Sequence, residues 1–426
     1  MQIADTRAVA VRRSRLVAGG VAVVVGTGAF QLANFLTNAV AARALGPESY
    51  ADLAAVIGLV YLTSPFFISL QTVASRVTTT SIAEGQGRRV RGLLAYYATR
   101  VTSMVLLIGG VLALGSGLVA RALQIPSALP IALLAVVFAC SAVTHLQRGV
   151  LQGARRFGQF GASSAIEGWM KLVTLVVLLS FVTASPSVVI IALIVGGFAA
   201  AVANWSMLRS MPPSEYGVLP ETHPLLLSAR TLGTLLLLAL LLSVDVIAAN
   251  RYLADTTAGI YAALSLTAKT VFFATAALTT FAFPVFSERH DLHQDARPVL
   301  LWILGVDIAI VVCATAGLTA FPTVFLSALF GERFLAAAPY VPFAALGFGL
   351  YAILHACSMY LLSQGRTIAI VVLGACALVQ LAALRAFHDT IPALLTVQGA
   401  VFGAGALTLL TVALARRPTP SLEGTA

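Results

Sequence analysis

Residues 16–42 read LVAGGVAVVVGTGAFQLANFLTNAVAA, an apolar stretch without a single charged side chain. A helix that crosses a bilayer needs about 20 such residues. Arg12, Arg13 and Arg15 stand just before the stretch, as they would before a secretion signal. The apolar part of a cleaved signal peptide is only about 7–15 residues long. We therefore predict that residues 16–42 form a first transmembrane helix that is not removed.

Similar stretches recur along the whole chain. Hydrophobic residues make up 59% of the 426 residues, charged residues make up 10%, and the mean hydropathy is +0.95. A soluble domain carries about 25% charged residues, because its surface must face water. The composition therefore excludes a soluble enzyme and predicts an all-α polytopic membrane protein.

We count twelve candidate transmembrane helices, separated by turn residues such as Gly46-Pro47 and Pro212-Pro213. Their approximate bounds are 16–42, 51–75, 95–120, 128–150, 164–184, 188–208, 229–251, 258–285, 298–320, 339–363, 367–386 and 391–415.

The net charge of +10 comes almost entirely from 24 arginines, which stand in short runs between the apolar stretches. If the N-terminus is cytoplasmic, nineteen arginines fall on the cytoplasmic side and five on the outer side. This bias is the one described by the positive-inside rule. It predicts that both termini are cytoplasmic, and it requires no nucleic-acid partner.

The chain divides into two equivalent halves around its longest loop, residues 209–228, which contains four prolines. We predict an N-terminal six-helix lobe (1–210), a cytoplasmic linker (211–228) and a C-terminal six-helix lobe (229–426). A displacement of 208 residues aligns 41–77 with 249–285 and gives nine identities in 37 positions, among them Arg43 with Arg251. Six helices per half give both lobes the same orientation, as in transporters built from parallel repeats.

Motifs of enzymatic chemistry are absent from the sequence, which has no GxSxG, Walker A, HExxH or DxD pattern. Each of the four cysteines lies in an apolar stretch and no CxxC pair occurs, which is typical of buried structural cysteines. We predict no catalytic residue, no metal site and no cofactor, and hence a protein that is not an enzyme.

Function must then rest on the few polar side chains at membrane depth, where an ionisable group is costly and usually marks a pathway or a pair. Lys269 is the sharpest case, because it lies near the middle of its helix without an acid within four residues. It is a candidate ligand for an anionic substrate. Alternatively, it snorkels or forms a pair with another helix, for example with Asp245 or Asp307.

Lys171 follows Glu167 by four residues, a spacing that favours an ion pair within the helix. It is therefore a candidate for substrate contact or for this structural pair. Asp245 and Asp307 are candidate ligands for a coupling ion, H⁺ or Na⁺, since buried acids can titrate near neutral pH. Either could equally be a polar contact between helices.

Three amide side chains, those of Gln31, Asn34 and Asn38, fall on one face of the first helix. Amides both donate and accept hydrogen bonds, which suits sugar hydroxyls. We predict that the three side chains line a common cavity, which Gln71 and Arg76 of the second helix could extend toward the cytoplasm. The alternative is hydrogen bonding between helices, and for Arg76 a simple positive-inside charge.

Four short stretches, in this order, resemble motifs of the polysaccharide flippases of the multidrug/oligosaccharidyl-lipid/polysaccharide exporter superfamily. They are NAVAARALGPESYADL (38–53), SVDVIAANRYL (243–253), FPVFSE (283–288) with Lys269 upstream of it, and LFGERF (329–334). Ala51 departs from the glycine that is usual in the first of these motifs. The resemblance covers nearly all of residues 16–415.

The resemblance implies two six-helix lobes around a central cavity that opens alternately to the two sides of the bacterial cytoplasmic membrane. It implies a lipid-linked oligosaccharide as cargo, often carried on a polyprenyl pyrophosphate, for cell-surface polysaccharide synthesis. Lys269 would then meet the pyrophosphate and the stripe of Gln31, Asn34 and Asn38 the sugars. Membrane lipid is an expected partner, and a polysaccharide polymerase or glycosyltransferases would act alongside.

Three other classes compete with this interpretation. An ion-coupled drug exporter of the same superfamily would need acidic cavity residues for a cationic cargo. A major-facilitator transporter usually carries a characteristic basic motif between its second and third helices, and residues 75–89 lack it. A membrane glycosyltransferase or polymerase would need a large outer loop or a cluster of catalytic acids.

Overall fold

The computed structural model describes residues 2–83, 90–209, 229–292 and 294–415. Twelve α-helices and one 3-10 helix cover most of these residues. They are α1 Gln2–Ala83, α2 Val90–Leu123, α3 Leu129–Gly153, α4 Phe157–Phe181, α5 Pro186–Arg209, α6 Ala229–Tyr252, α7 Asp255–Asp291, α8 Arg297–Ala320, α9 Pro322–Leu329, the 3-10 helix Glu332–Tyr340, α10 Val341–Ser363, α11 Ile368–Ala386 and α12 Ile391–Leu414. The prediction of an all-α membrane protein is confirmed.

Helix α1 contains two membrane crossings that meet at a kink. Gly46 has φ 72° and ψ 173°, a conformation outside the helical region, and Pro47 follows it. Positive φ is the range that glycine tolerates and that other residues reach only with strain. The kink separates a first limb (residues 2–45) from a second limb (residues 47–83), which correspond to the first two predicted helices.

The number of crossings agrees with the sequence prediction. Ten helices in the described part of the chain are long and apolar enough to span a membrane. One of them, Val21–Ile82, is 62 residues long and contains the kink, so it supplies two crossings. Helix α2 supplies the twelfth, although only Leu107–Leu123 contributes to its apolar span among the described side chains.

The sequence prediction missed the region between α8 and α10. Here the chain forms the eight-residue helix α9 and the nine-residue 3-10 helix before it enters α10 at Val341. Gly331, at φ 93°, makes the sharp turn between them. These short elements lie below the length that hydropathy resolves, and they form because Phe330 and Phe334 pack against Tyr50 of α1.

The helices pack in two groups that meet along α1. Helices α3, α4 and α5 pack against α1 and against one another, and α2 packs on α3. In the second half, α10 packs against α7, α8 and α12, while α11 packs against α6 and α12. The main contacts across the two groups are those of α1 with α6 and α7. The amides Gln31, Asn34 and Asn38 lie along this seam.

Two parallel six-helix lobes are thus the architecture of the chain. Their predicted linker, residues 211–228, lies outside the described residues, so the domain boundaries stay a prediction. The predicted cytoplasmic position of both termini also stays a prediction; residues 1 and 416–426 lie outside the described part as well.

Candidate functional site: a cavity at the seam between the lobes

A cavity of about 290 Å³ lies between the two limbs of α1 and helix α7. Its lining is formed by Gln31, Asn34, Phe35, Asn38, Tyr61, Leu266, Thr270, Phe273 and Ala274. All three amides of the predicted stripe are therefore on its wall. None of these nine lining side chains is charged, and three of them are aromatic.

A second, smaller cavity of about 30 Å³ continues from the first and shares Asn38, Tyr61 and Leu266 with it. It reaches inward past Gly58 and Ser243 and has Lys269 in its lining. The amide-lined cavity and the smaller cavity beside the buried lysine of α7 are therefore neighbours.

Lys269 is held in an ion pair at the end of this path. Its Nζ lies 3.0 Å from Asp245 Oδ1 of α6, and Asp245 is fully buried. The other carboxylate oxygen, Oδ2, accepts a hydrogen bond of 2.5 Å from the Ser265 hydroxyl. The Tyr261 hydroxyl lies 3.4 Å from the same oxygen and 3.2 Å from Gln398 Oε1 of α12. This network is the pairing that the sequence offered as the alternative to substrate contact, and it assigns Asp245 a partner on α7.

Lys171 has different surroundings. It is 5% exposed, its Nζ donates a 2.5 Å hydrogen bond to Asn34 Oδ1, and its ammonium lies 4.6 Å from the centre of the Phe30 ring. Asn34 belongs to the cavity wall. Lys171 therefore stands directly behind that wall, on the side of the first lobe.

The predicted pair of Lys171 with Glu167 does not form. Glu167 pairs instead with Arg148 of α3, whose Nη2 lies 2.7 Å from Glu167 Oε2. Arg148 also donates hydrogen bonds of 2.8 Å to Ser163 Oγ and 2.9 Å to the Ser163 carbonyl. The helix spacing allowed the intrahelical pair, but Arg148 approaches from a neighbouring helix.

Sequence reasoning missed Arg148, because it was counted among the cytoplasmic charges of the positive-inside pattern. It is only 5% exposed. Glu167, the one acid in the predicted helix 164–184, was the signal that a cation from another helix would be needed nearby.

The remaining predicted site residues do not line the two cavities. Gln71 donates a 3.1 Å hydrogen bond from Nε2 to Gln152 Oε1 of α3, and Arg76 is exposed. Asp307 of α8 is fully buried, and neither of its carboxylate oxygens has a hydrogen-bond partner. For these three residues the roles in substrate or ion binding stay predictions.

One end of the seam is closed by a set of contacts that we call the closed junction: residues 43–50 of α1 against residues 256–259 of α7 and residues 327–334. The Arg43 guanidinium donates hydrogen bonds of 2.9 Å to the carbonyls of Leu329 and Ser327, and it also contacts the Ala328 carbonyl. Thr256 donates a 3.1 Å hydrogen bond to Glu48 Oε1. The Tyr50 ring lies 5.9 Å from that of Phe334. These contacts join the two lobes at this end of the seam.

Twelve membrane crossings in two groups, a cavity on the seam between them and the closed junction at one end define a polytopic membrane protein with an internal cavity. The chain belongs to the family of polysaccharide biosynthesis proteins, whose sequence model matches residues 40–339. This match contains most or all of each of the four stretches on which the resemblance rests, and the resemblance is confirmed.

Solved structures of MATE and MurJ proteins have a similar fold. An inward-facing multidrug resistance MATE family transporter aligns over 90% of this chain and 93% of its own, with a TM-score of 0.72 and 14% identity. The lipid II flippase MurJ in an inward closed conformation aligns over 90% of this chain and 87% of its own, with a TM-score of 0.66 and 13% identity. A MATE protein in complex with Br-NRF aligns over 94% of both chains, with a TM-score of 0.63 and 11% identity. The comparison with curated proteins gives no match.

Proposed function

We propose that this protein is a flippase that moves a lipid-linked oligosaccharide across the bacterial cytoplasmic membrane by alternating access. The observation that carries the proposal is the cavity at the seam, which places Gln31, Asn34 and Asn38 on one wall. Membership in the polysaccharide biosynthesis family supports the sugar class of the cargo. The protein then acts as a transporter and not as an enzyme, upstream of a polysaccharide polymerase or beside glycosyltransferases.

The lining of the cavity suits a sugar. The three amides can donate to and accept from hydroxyls, and Thr270 adds a hydroxyl of its own. Phe35, Tyr61 and Phe273 offer apolar ring faces, against which the C–H face of a pyranose can pack. A volume of about 290 Å³ is near the lower limit of small-molecule sites, which begin at roughly 300 Å³. We infer that it holds one or two sugar units in this state.

The closed junction supports an alternating mechanism. It joins α1 of the first lobe to α7 and α9 of the second lobe at one end of the seam. The positive-inside rule predicts that this end faces outward, so in our proposal this state receives cargo from the cytoplasm. The polyprenyl chain would stay in the bilayer between the lobes while the headgroup occupies the cavity.

A cation exporter is the second candidate, because a multidrug MATE transporter is among the structures with the same fold. A cationic drug would need a carboxylate at the cavity wall. The nine side chains that line the larger cavity carry none, and the acid beyond it, Asp245, is already paired with Lys269. The lining therefore favours the neutral, hydroxyl-rich cargo.

The proposal is tested with purified protein in proteoliposomes that contain a polyprenyl-pyrophosphate-linked disaccharide. The rate at which the sugar reaches an externally added, membrane-impermeant lectin measures flipping. We expect Gln31→Leu and Asn38→Leu each to lower this rate about tenfold, as the loss of one buried hydrogen bond implies. The matched control is Val25→Ala, on a 64% exposed side chain of the same limb. Wild-type vesicles that do not flip this lipid, or that export a cationic dye instead, would contradict the proposal.

A further inference from the structure

We infer that Lys171, and not Lys269, binds the phosphate group of an anionic ligand at the cavity, and that Arg148 is a positioning residue that keeps Lys171 free to do so. The inference deepens the proposed function and rests on it for the location of the cargo. It starts from the difference between the two lysines of the chain, both of which are buried at membrane depth.

The two lysines differ in their charge partners. Lys269 is neutralised by Asp245, and the two charges form a closed pair at 3.0 Å. Within the described part of the chain, Lys171 has no carboxylate at salt-bridge distance and is held by an amide oxygen and a ring face. An anion that approaches Lys269 must displace a buried carboxylate, whereas an anion that approaches Lys171 replaces only neutral groups.

Close helix packing brings Lys171 to the cavity wall. Gly26 of α1 and Gly161 of α4 lie in direct backbone contact. Gly168 lies two turns after Gly161 on α4, and Phe30 lies one turn after Gly26 on α1. A Cβ at Gly168 would lie 3.1 Å from the Phe30 Cα. Because the two backbones approach this closely, the next turn of α4 places Lys171 Nζ against the side chain of Asn34. A swing of the Asn34 amide would open Lys171 to the cavity.

Arg148 determines whether Lys171 keeps its charge for a ligand. Glu167 lies one turn before Lys171 on α4, a spacing at which the two side chains ordinarily pair. Arg148 holds Glu167 at 2.7 Å, and its two bonds to Ser163 fix the guanidinium in that place. The two cations Arg148 and Lys171 thus share the single carboxylate of Glu167, and the three groups carry a net charge of +1. In a low-dielectric environment this charge attracts an anion strongly.

The ligand class that fits is a phosphate ester or a pyrophosphate. A lysine ammonium is a compact point charge with three donors and binds phosphate oxygens without the planar geometry that arginine requires. The amides of Asn34 and Gln31 can donate to further oxygens of the same group. A polyprenyl pyrophosphate and free pyrophosphate share this chemistry.

The experiment measures equilibrium binding of geranylgeranyl diphosphate, inorganic pyrophosphate and geranylgeraniol to the purified full-length protein in detergent, by isothermal titration calorimetry. We expect binding of the lipid diphosphate, and Lys171→Gln to weaken it at least about tenfold, since a hydrogen bond to a charged group is lost. The double variant Lys269→Gln/Asp245→Asn, which removes a neutral pair, should bind within about threefold of wild type. Binding of geranylgeraniol with equal affinity would show that the prenyl chain alone is recognised and would overturn the inference.

A rescue separates the positioning role of Arg148 from a structural one. Arg148→Gln frees Glu167 to pair with Lys171, so we expect binding to fall about as far as in Lys171→Gln. Arg148→Gln/Glu167→Gln removes the competing carboxylate, and binding should return to within about threefold of wild type. Every variant is first required to show a thermal unfolding transition. A folded double variant that does not recover would overturn the role of Arg148, and unweakened binding in Lys171→Gln would overturn the site.

The result also distinguishes this inference from the proposed function. If wild-type protein binds the diphosphate through Lys171 but does not flip the disaccharide lipid, the anion site stands and the cargo is wrong. If inorganic pyrophosphate binds as tightly as the lipid diphosphate, the site serves a free phosphate and the lipid source is wrong. If flipping proceeds in Lys171→Gln at the wild-type rate, the cargo stands and the site is wrong.

Discussion

At the scale of single residues, the charges within the membrane are arranged as pairs that span helices. Asp245 and Lys269 form a pair between α6 and α7, and Glu167 and Arg148 form one between α4 and α3. Burying an isolated charge at this depth would cost several kcal/mol of free energy. Pairing with an opposite charge offsets this cost, so each pair makes the buried charges of its helices tolerable. Among the buried charged residues of the described part of the chain, Lys171 and Asp307 are the two that such pairing leaves over.

The Asp245–Lys269 pair predicts a strong asymmetry between single and double variants. Lys269→Met leaves a fully buried carboxylate without its cation, and we expect a loss of about 3–5 kcal/mol in unfolding free energy. Asp245→Asn/Lys269→Met removes both charges and should recover most of this loss. The measurement is chemical unfolding in detergent as a double-mutant cycle. Additive single effects would show that the two side chains do not interact.

Asp307 predicts an effect on coupling and not on folding. Its two oxygens are buried without a donor, so a proton or a cation must neutralise it, which makes it a candidate coupling group. We expect Asp307→Asn to fold normally and to lose the stimulation of flipping by an imposed proton or sodium gradient. Asp389→Asn, on an 87% exposed side chain, is the control. Gradient-stimulated flipping that persists in Asp307→Asn would exclude the coupling role.

At the scale of elements, glycine determines how closely the helices approach. Gly259 at the start of α7 lies against the backbone of Pro47, just past the kink in α1, and a Cβ there would overlap the Pro47 carbonyl. Gly317 on α8 has no other side chain or backbone atom near it. Glycine thus permits a close contact between helices at Gly259, whereas Gly317 lies at a position where no neighbouring helix approaches.

This contrast predicts opposite results for two glycine-to-alanine changes. Gly259→Ala forces α7 away from α1 and should cost about 1–3 kcal/mol, as overpacking does elsewhere. Gly317→Ala adds a methyl group in open space and should be neutral or raise stability by up to about 1 kcal/mol through helix propensity. Thermal unfolding of the two variants in the same detergent tests the difference, and equal shifts would contradict the close contact at Gly259.

At the scale of the whole molecule, the closed junction holds the two lobes together at one end of the seam. Arg43 supplies the strongest part, because its guanidinium donates to the last carbonyls of α9, where the negative end of the helix dipole lies. Tyr50 adds aromatic contact with Phe330 and Phe334. Access to the cavity from this end requires these bonds to break together.

Arg43→Ala should therefore open the junction more often. In a variant without the native cysteines, a cysteine at Ile57, which lines the smaller cavity, reports access from the outer side. We expect Arg43→Ala to raise its labelling rate by an impermeant thiol reagent about tenfold, as the loss of charged hydrogen bonds implies. Arg121→Ala is the control, since Arg121 bonds only the Gly117 carbonyl of its own helix. Unchanged labelling in Arg43→Ala would show that Arg43 does not hold the junction.

Amino-acid order alone was sufficient to identify the membrane helices, their number and the family. Hydropathy over about 20 residues is a local property, and a helix that satisfies its own backbone needs no partner in order to span. The common face of Gln31, Asn34 and Asn38 is likewise local, because it follows from the helical period. The kink at Gly46 was marked by a glycine and a proline that stand side by side in the chain.

The tertiary structure alone decided which charges are paired and which remain available. Lys171 and Asn34 stand 137 positions apart and Lys269 and Asp245 stand 24 apart, on different helices in each case. Their contacts depend on how each helix is rotated and how closely its neighbour approaches, which side-chain packing within each lobe sets. The sequence left each lysine open between substrate contact and an ion pair; the structure pairs Lys269 with Asp245 and holds Lys171 at the amide oxygen of Asn34.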